Sequence, residues 1–179
     1  MGTQIYLTYR AVAVTESKTA PKRAGFFKRL AAMVYDVLVA TAVAMCAALV
    51  ITITLMILYE ANVIAHAEGM LFNEFIQQSL LYTSIIQAWV SLWIIGFFLY
   101  FWKNGGQTLG MRAWRLRMYS LTDKPVGYGR LFLRMISALG GLGTILVLLD
   151  FKNKLALQDR ISQIEVLSLS QEDNHHRSW

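Results

Sequence analysis

From Val37 to Tyr59 the chain runs through 23 residues, VLVATAVAMCAALVITITLMILY, without a charge. A helix rising about 1.5 Å per residue needs roughly 20 apolar residues to cross hydrocarbon. This segment therefore fixes lipid as the medium in which the chain folds. Phe75 to Trp102 forms a second uncharged run, with Tyr100, Phe101 and Trp102 at its end where an interfacial aromatic belt is expected. Composition agrees: 56% of the 179 residues are hydrophobic, 16% are charged, and the mean hydropathy is +0.44. Soluble domains are less apolar and nearer a quarter charged. The lone Cys46 has no disulfide partner and reads as a small buried hydrophobe.

A third apolar run, Met135–Leu149, is too short to cross comfortably, since about 15 residues reach roughly 22 Å. Gly140, Gly141 and Gly143 also interrupt it. It reads either as a short span or as two half-helices that dip in and return. Charge asymmetry favours the return. Lys18, Lys22, Arg23, Lys28 and Arg29 precede the first run, and Lys103, Arg112, Arg115, Arg117, Lys124, Arg130 and Arg134 follow the second. The loop between them, Glu60–Glu74, carries Glu60, Glu68 and Glu74 and no Lys or Arg. Positive loops stay inside, which places both termini in the cytoplasm and the acidic loop outside.

Two stretches alternate in polarity, RLRMYSL (Arg115–Leu121) and IEVLSLS (Ile164–Ser170), with the turn signal TDKP after the first. The expected fold is an all-α membrane protein with helices at about 27–59, 75–102 and 130–150 and a small cytoplasmic β element. Residues 1–23 read as a polar cytoplasmic leader without signal-peptide features, and 171–179 as a disordered tail.

Four motifs, in order, resemble the landmarks of the RDD family: AGFFKRLAAMVYD (Ala24–Asp36), GGQTLGMRAWRLRM (Gly105–Met118), PVGYGRLFLRMIS (Pro125–Ser137) and LALQDRISQIEVL (Leu155–Leu167). The resemblance implies an integral bacterial membrane protein, placed here in the inner membrane and linked to transport. It assigns the family's arginine to Arg29 and its two aspartates to Asp36 and Asp159, and it implies no substrate.

Asp36 poses the sharpest chemical question. An ionised carboxylate in hydrocarbon costs at least a few kcal/mol unless it is paired or wet. The expectation is an ion pair with Arg134 first and Arg130 second, with Asp159 and Arg160 in the same cluster. Arg29 is expected to snorkel to headgroups as an interface anchor, the alternative being a planar fork that binds a carboxylate such as Asp159. Asp36, Ala40, Ala44 and Ala48 form a small-residue ridge, while Ser84, Gln87 and Ser91 share a face of the second helix above Gly96. Both stripes suit helix packing or the wall of a pathway.

The GGLGT stretch lacks the Lys-Ser/Thr ending of a phosphate loop. His66 with Glu68, and His175 with His176, supply too few ligands for a metal site. No nucleophile–base set is identifiable, so no enzyme, cofactor or metal is expected. The net charge of +6 flanks apolar runs, which points to anionic headgroups and away from nucleic acid. Two functions remain open: a homo-oligomer that transports a small cation or proton-coupled solute, and a non-transporting adaptor for a protein partner or anionic lipid.

Overall fold

The computed structural model describes residues 22–64, 69–122, 124–150 and 153–175. Most of the expected leader, His66 with Glu68, and His176 lie outside these residues. The elements in chain order are β1 (Lys22–Arg23), α1 (Phe26–Glu60), α2 (Phe72–Gln78), α3 (Leu80–Asn104), α4 (Leu109–Ala113) and β2 (Leu116–Ser120). They continue with α5 (Tyr128–Ser137), a 3-10 segment (Leu139–Ile145), α6 (Leu146–Leu149), α7 (Leu157–Ser162), β3 (Ile164–Ser168) and α8 (Gln171–His175). The chain divides into two compact units, one being Leu38–Phe97 and the other the residues on either side of it.

Two helices, α1 with 35 residues and α3 with 25, are long and apolar enough to span a bilayer, and almost none of either is buried within the chain. Val37, Leu38, Met45, Leu49 and Leu92 are each more than 60% exposed, as suits side chains whose solvent is lipid. Cys46 is exposed on the same helix, which corrects the expectation that it is buried. The second expected helix is in fact two. Ser79 breaks it, so Phe75 belongs to the short α2 and the long helix begins at Leu80.

Within Leu38–Phe97 the contact of α3 with α1 falls at Ala47, next to the expected ridge. Ala40, Ala44 and Ala48 are half-buried and Ala47 is buried, and Trp89 of α3 donates its indole N–H to the Ala47 carbonyl at 3.1 Å. Small residues permit that close seat. At the other end of these helices Phe75 stacks within 5.3 Å of Tyr59 and 4.9 Å of Tyr82.

The second unit is built on a three-stranded antiparallel sheet of order β1-β3-β2. β2 and β3 pair, as the two alternating stretches were expected to, from Leu116 opposite Ser168 to Ser120 opposite Ile164. β1 was not expected. Lys22 and Arg23, assigned to the leader, pair with Ser168 and Leu167, and Ala24 prolongs the ladder by donating to Val166 O at 2.9 Å. Ala24, Ala32, Met111, Leu116, Met118, Leu131, Ile164 and Val166 form the core. The chain leaves this sheet at Ser120 and returns to it at Ile164.

The intervening apolar run is broken rather than one helix. Gly140 and Gly141 take φ of +63° and +105°, a region that Gly enters without strain. The helical pieces on either side, Tyr128–Ser137 and Gly140–Leu148, bend by 75°. α5 is inside-out by soluble standards: Leu131, Arg134 and Ser137 are buried while Tyr128, Phe132, Leu133 and Ile136 are exposed. That pattern fits a helix with a polar core on one side and lipid on the other. Finally, the expected disordered tail begins as a helix, Gln171–His175. Ser170 caps it by accepting from Asp173 N at 3.1 Å, and Asn174 donates to Arg112 O at 3.0 Å.

Candidate functional site

Two buried carboxylates organise the sheet-containing unit, and they are held by different chemistry. Asp159 is wholly buried at the start of α7. Its Oδ2 accepts from Ala156 N at 3.1 Å, which satisfies an N–H at the helix start. The same oxygen meets Arg29 Nη1 at 2.6 Å, and Oδ1 meets Arg134 Nη1 at 2.7 Å. Arg29, Arg134 and Asp159 thereby tie α1, α5 and α7 together.

Arg29 does not act as an interface anchor. It is 5% exposed, and its planar fork reaches three acceptors: Asp159, Ala24 O at 3.1 Å and Lys154 O at 3.2 Å. Arg29 and Asp159, which the motif resemblance assigns as the family's arginine and second aspartate, are therefore direct partners, although 130 positions separate them.

Asp36 is also buried, yet among the described residues it meets no arginine. Its Oδ2 accepts from Thr108 Oγ1 at 2.5 Å and its Oδ1 accepts from Gly110 N at 2.8 Å. Thr108 is the N-cap of α4 and accepts from Met111 N at 3.1 Å. The expected Asp36–Arg134 pair fails because Arg134 is engaged by Asp159, while α4 offers Asp36 a hydroxyl and a backbone amide. A carboxylate at a helix start is favoured by the local N–H groups.

The GGQTLG stretch explains this seat. Gly106, at φ +64°, turns the chain and accepts from Met118 N at 2.8 Å. Gln107 ties the turn to Leu116 O at 2.8 Å, Thr108 caps, and Gly110 lets α4 lie against the α1 backbone. A Cβ on Gly110 would stand 2.1 Å from Ala32 O and 2.9 Å from the Asp36 carboxyl carbon. Gly110 and Thr108 were missed as site residues. The signal was a small cap residue followed two positions later by Gly at a helix start.

Arg130 lies outside both clusters as well. It clamps the end of α7, donating Nε to Ser162 O at 2.9 Å and Nη2 to Gln163 O, and it reaches Lys124 O at 3.0 Å. Arg160 pairs with Asp150 at 2.6 Å, on the surface. The Asp150 carboxyl is held below the usual carboxylate range by the amide of Asn153 and then by Arg160. On α3, Ser84, Gln87, Ser91 and Gly96 are exposed. Among the described residues no group of three or more His, Cys, Asp or Glu side chains is arranged to hold a metal.

Comparison with known proteins gives a family. The RDD family model matches residues 23–163, which include Arg29, Asp36, Thr108, Gly110, Arg134 and Asp159. The chain belongs to the RDD family. With its two long apolar helices it is an RDD-family membrane protein. Neither the curated proteins nor the solved structures give a match. In this RDD-family chain the three residues that the motif resemblance singles out separate into an Arg29–Asp159 pair, shared with Arg134, and an Asp36 seat on α4.

Proposed function

We propose that this protein moves a small cation or proton-coupled solute across the bacterial inner membrane as a homo-oligomer, with Asp36 as the carboxyl that exchanges a proton. The hydrogen-bond set of Asp36 carries this reading. Its Oδ1 faces an N–H and remains an acceptor in either protonation state. Its Oδ2 faces a hydroxyl, which donates to a carboxylate and accepts from a carboxylic acid. Asp36 can therefore gain or lose a proton with both contacts kept. Asp159 differs, because two guanidinium groups and an N–H surround it and all of them donate. That set fits an acceptor-only carboxylate, so Asp159 holds the helices while Asp36 exchanges. Ionisable groups at membrane depth often mark ion and proton routes.

In this reading both termini are cytoplasmic and the broken run 128–149 re-enters on the side it left. The charge asymmetry of the loops supports the orientation. The shared sheet supports the return, since β2 precedes the broken run and β3 follows it. The adaptor alternative has its own support: Lys22, Lys28 and Arg115 stand exposed around the sheet, a basic surface suited to anionic headgroups.

Flux decides between them. Purified protein in sealed liposomes, given an imposed sodium or potassium gradient, should move protons at a rate above protein-free vesicles. Absence of flux for protons and for both cations, with binding to anionic vesicles retained, would replace transport with the adaptor.

A further inference from the structure

We infer that the face of α3 carrying Gln87 is the contact between two copies of this chain. Gln87 is the only Asn, Gln or charged residue from Leu80 to Trp102, so it is the strongest polar group in that run. Its side chain is exposed and makes no hydrogen bond among the described residues. Two positions on, roughly 200° around the helix, Trp89 seats α3 against Ala47 of α1. The amide therefore points away from the chain's own packing, into the region lipid would fill. A primary amide has two donors and an acceptor, and hydrocarbon meets none of them.

What covers it follows from the chemistry. Copies inserted by the same charge rule run parallel, so a two-fold axis along the membrane normal sets Gln87 opposite Gln87 of the partner subunit at one depth. An amide is complementary to itself, donor to acceptor in both directions, as an isologous contact requires. Ser84 and Ser91, about one turn to either side, are exposed on the same flank and small enough to let the two backbones approach. Leu92 is 62% exposed but lies roughly 140° from Gln87 and faces lipid. The contact is independent of Asp36, so a failed flux assay leaves it standing.

The test is oxidative crosslinking of the full chain, purified and reconstituted in lipid bilayers. With Cys46→Ala as background, Ser84→Cys and Ser91→Cys should each give a disulfide-linked dimer, and Leu92→Cys should not. Adding Gln87→Leu to Ser91→Cys should cut the crosslinked fraction about tenfold, the scale expected for losing an interhelical amide pair in lipid. Gln87→Asn should retain part of it. Equal crosslinking at Leu92, no effect of Gln87→Leu, or monomers only would each overturn the proposal. The monomer result is the one that a different membrane protein or lipid alone at this face would produce.

Discussion

The amide of Gly110 donates to Asp36 across 2.8 Å, and it does so where the backbones of α1 and α4 leave no room for a side chain. Gly110→Ala would press a methyl against the Ala32 carbonyl, a backbone atom that cannot swing aside. A loss of at least about 3 kcal/mol is expected, at or beyond the upper end of ordinary overpacking. Thr108→Val should cost about 1–3 kcal/mol by leaving a buried acceptor unmet, while Thr108→Ser should recover most of it. Thermal unfolding in detergent, ranked Ser above Val above Gly110→Ala, checks the seat.

Arg29 should not tolerate lysine. A snorkelling anchor would accept the change, but the fork here reaches Asp159, Ala24 O and Lys154 O together. An ammonium lacks the planar geometry for all three. Arg29→Lys and Arg29→Ala should both lower stability by about 3–5 kcal/mol, the usual result of breaking a buried pair. Expression and unfolding of the Lys variant matching the native chain would contradict the burial.

A pair of double-mutant cycles separates the two carboxylates. Asp159→Asn and Arg134→Gln should each destabilise strongly, and the double variant should recover part of the loss, with a coupling of about 1–3 kcal/mol. Asp36→Asn with Arg134→Gln should be additive within about 0.5 kcal/mol, because no contact joins them.

Much of this arrangement was legible in the sequence, and the failures have physical causes. The two spans, the glycine-broken run and the β2–β3 pairing follow from apolar length, glycine placement and alternation, each a local property. The Arg29–Asp159 contact was legible only as the alternative to a headgroup anchor. Snorkelling is the cheaper expectation for any arginine at a span's end, and only the fold brings α7 beneath α1. The Asp36 seat was missed because its donors are a cap hydroxyl and a backbone amide, whereas arginine was sought as the obvious counter-charge. β1 has two residues and no pattern to read. The first turn of the tail is helical because Ser170 caps it and Asn174 binds the Arg112 carbonyl.

Topology gives a fourth expectation. A single cysteine at Ser170, in the Cys46→Ala background, should be labelled by a membrane-impermeant maleimide only after the cytoplasmic side is opened. Labelling in intact cells would overturn the cytoplasmic placement of the C-terminus.

In the proposed mechanism Asp36 changes protonation while both of its contacts persist. Infrared difference spectroscopy of the reconstituted protein, stepped across pH, reports carboxyl protonation directly. The wild type should show a carboxylic acid C=O band that appears as pH falls, that Asp36→Asn removes, and that shifts in Thr108→Val. A difference spectrum unchanged by Asp36→Asn would overturn the proposal, for Asp36 would then be held in a single protonation state across the pH range.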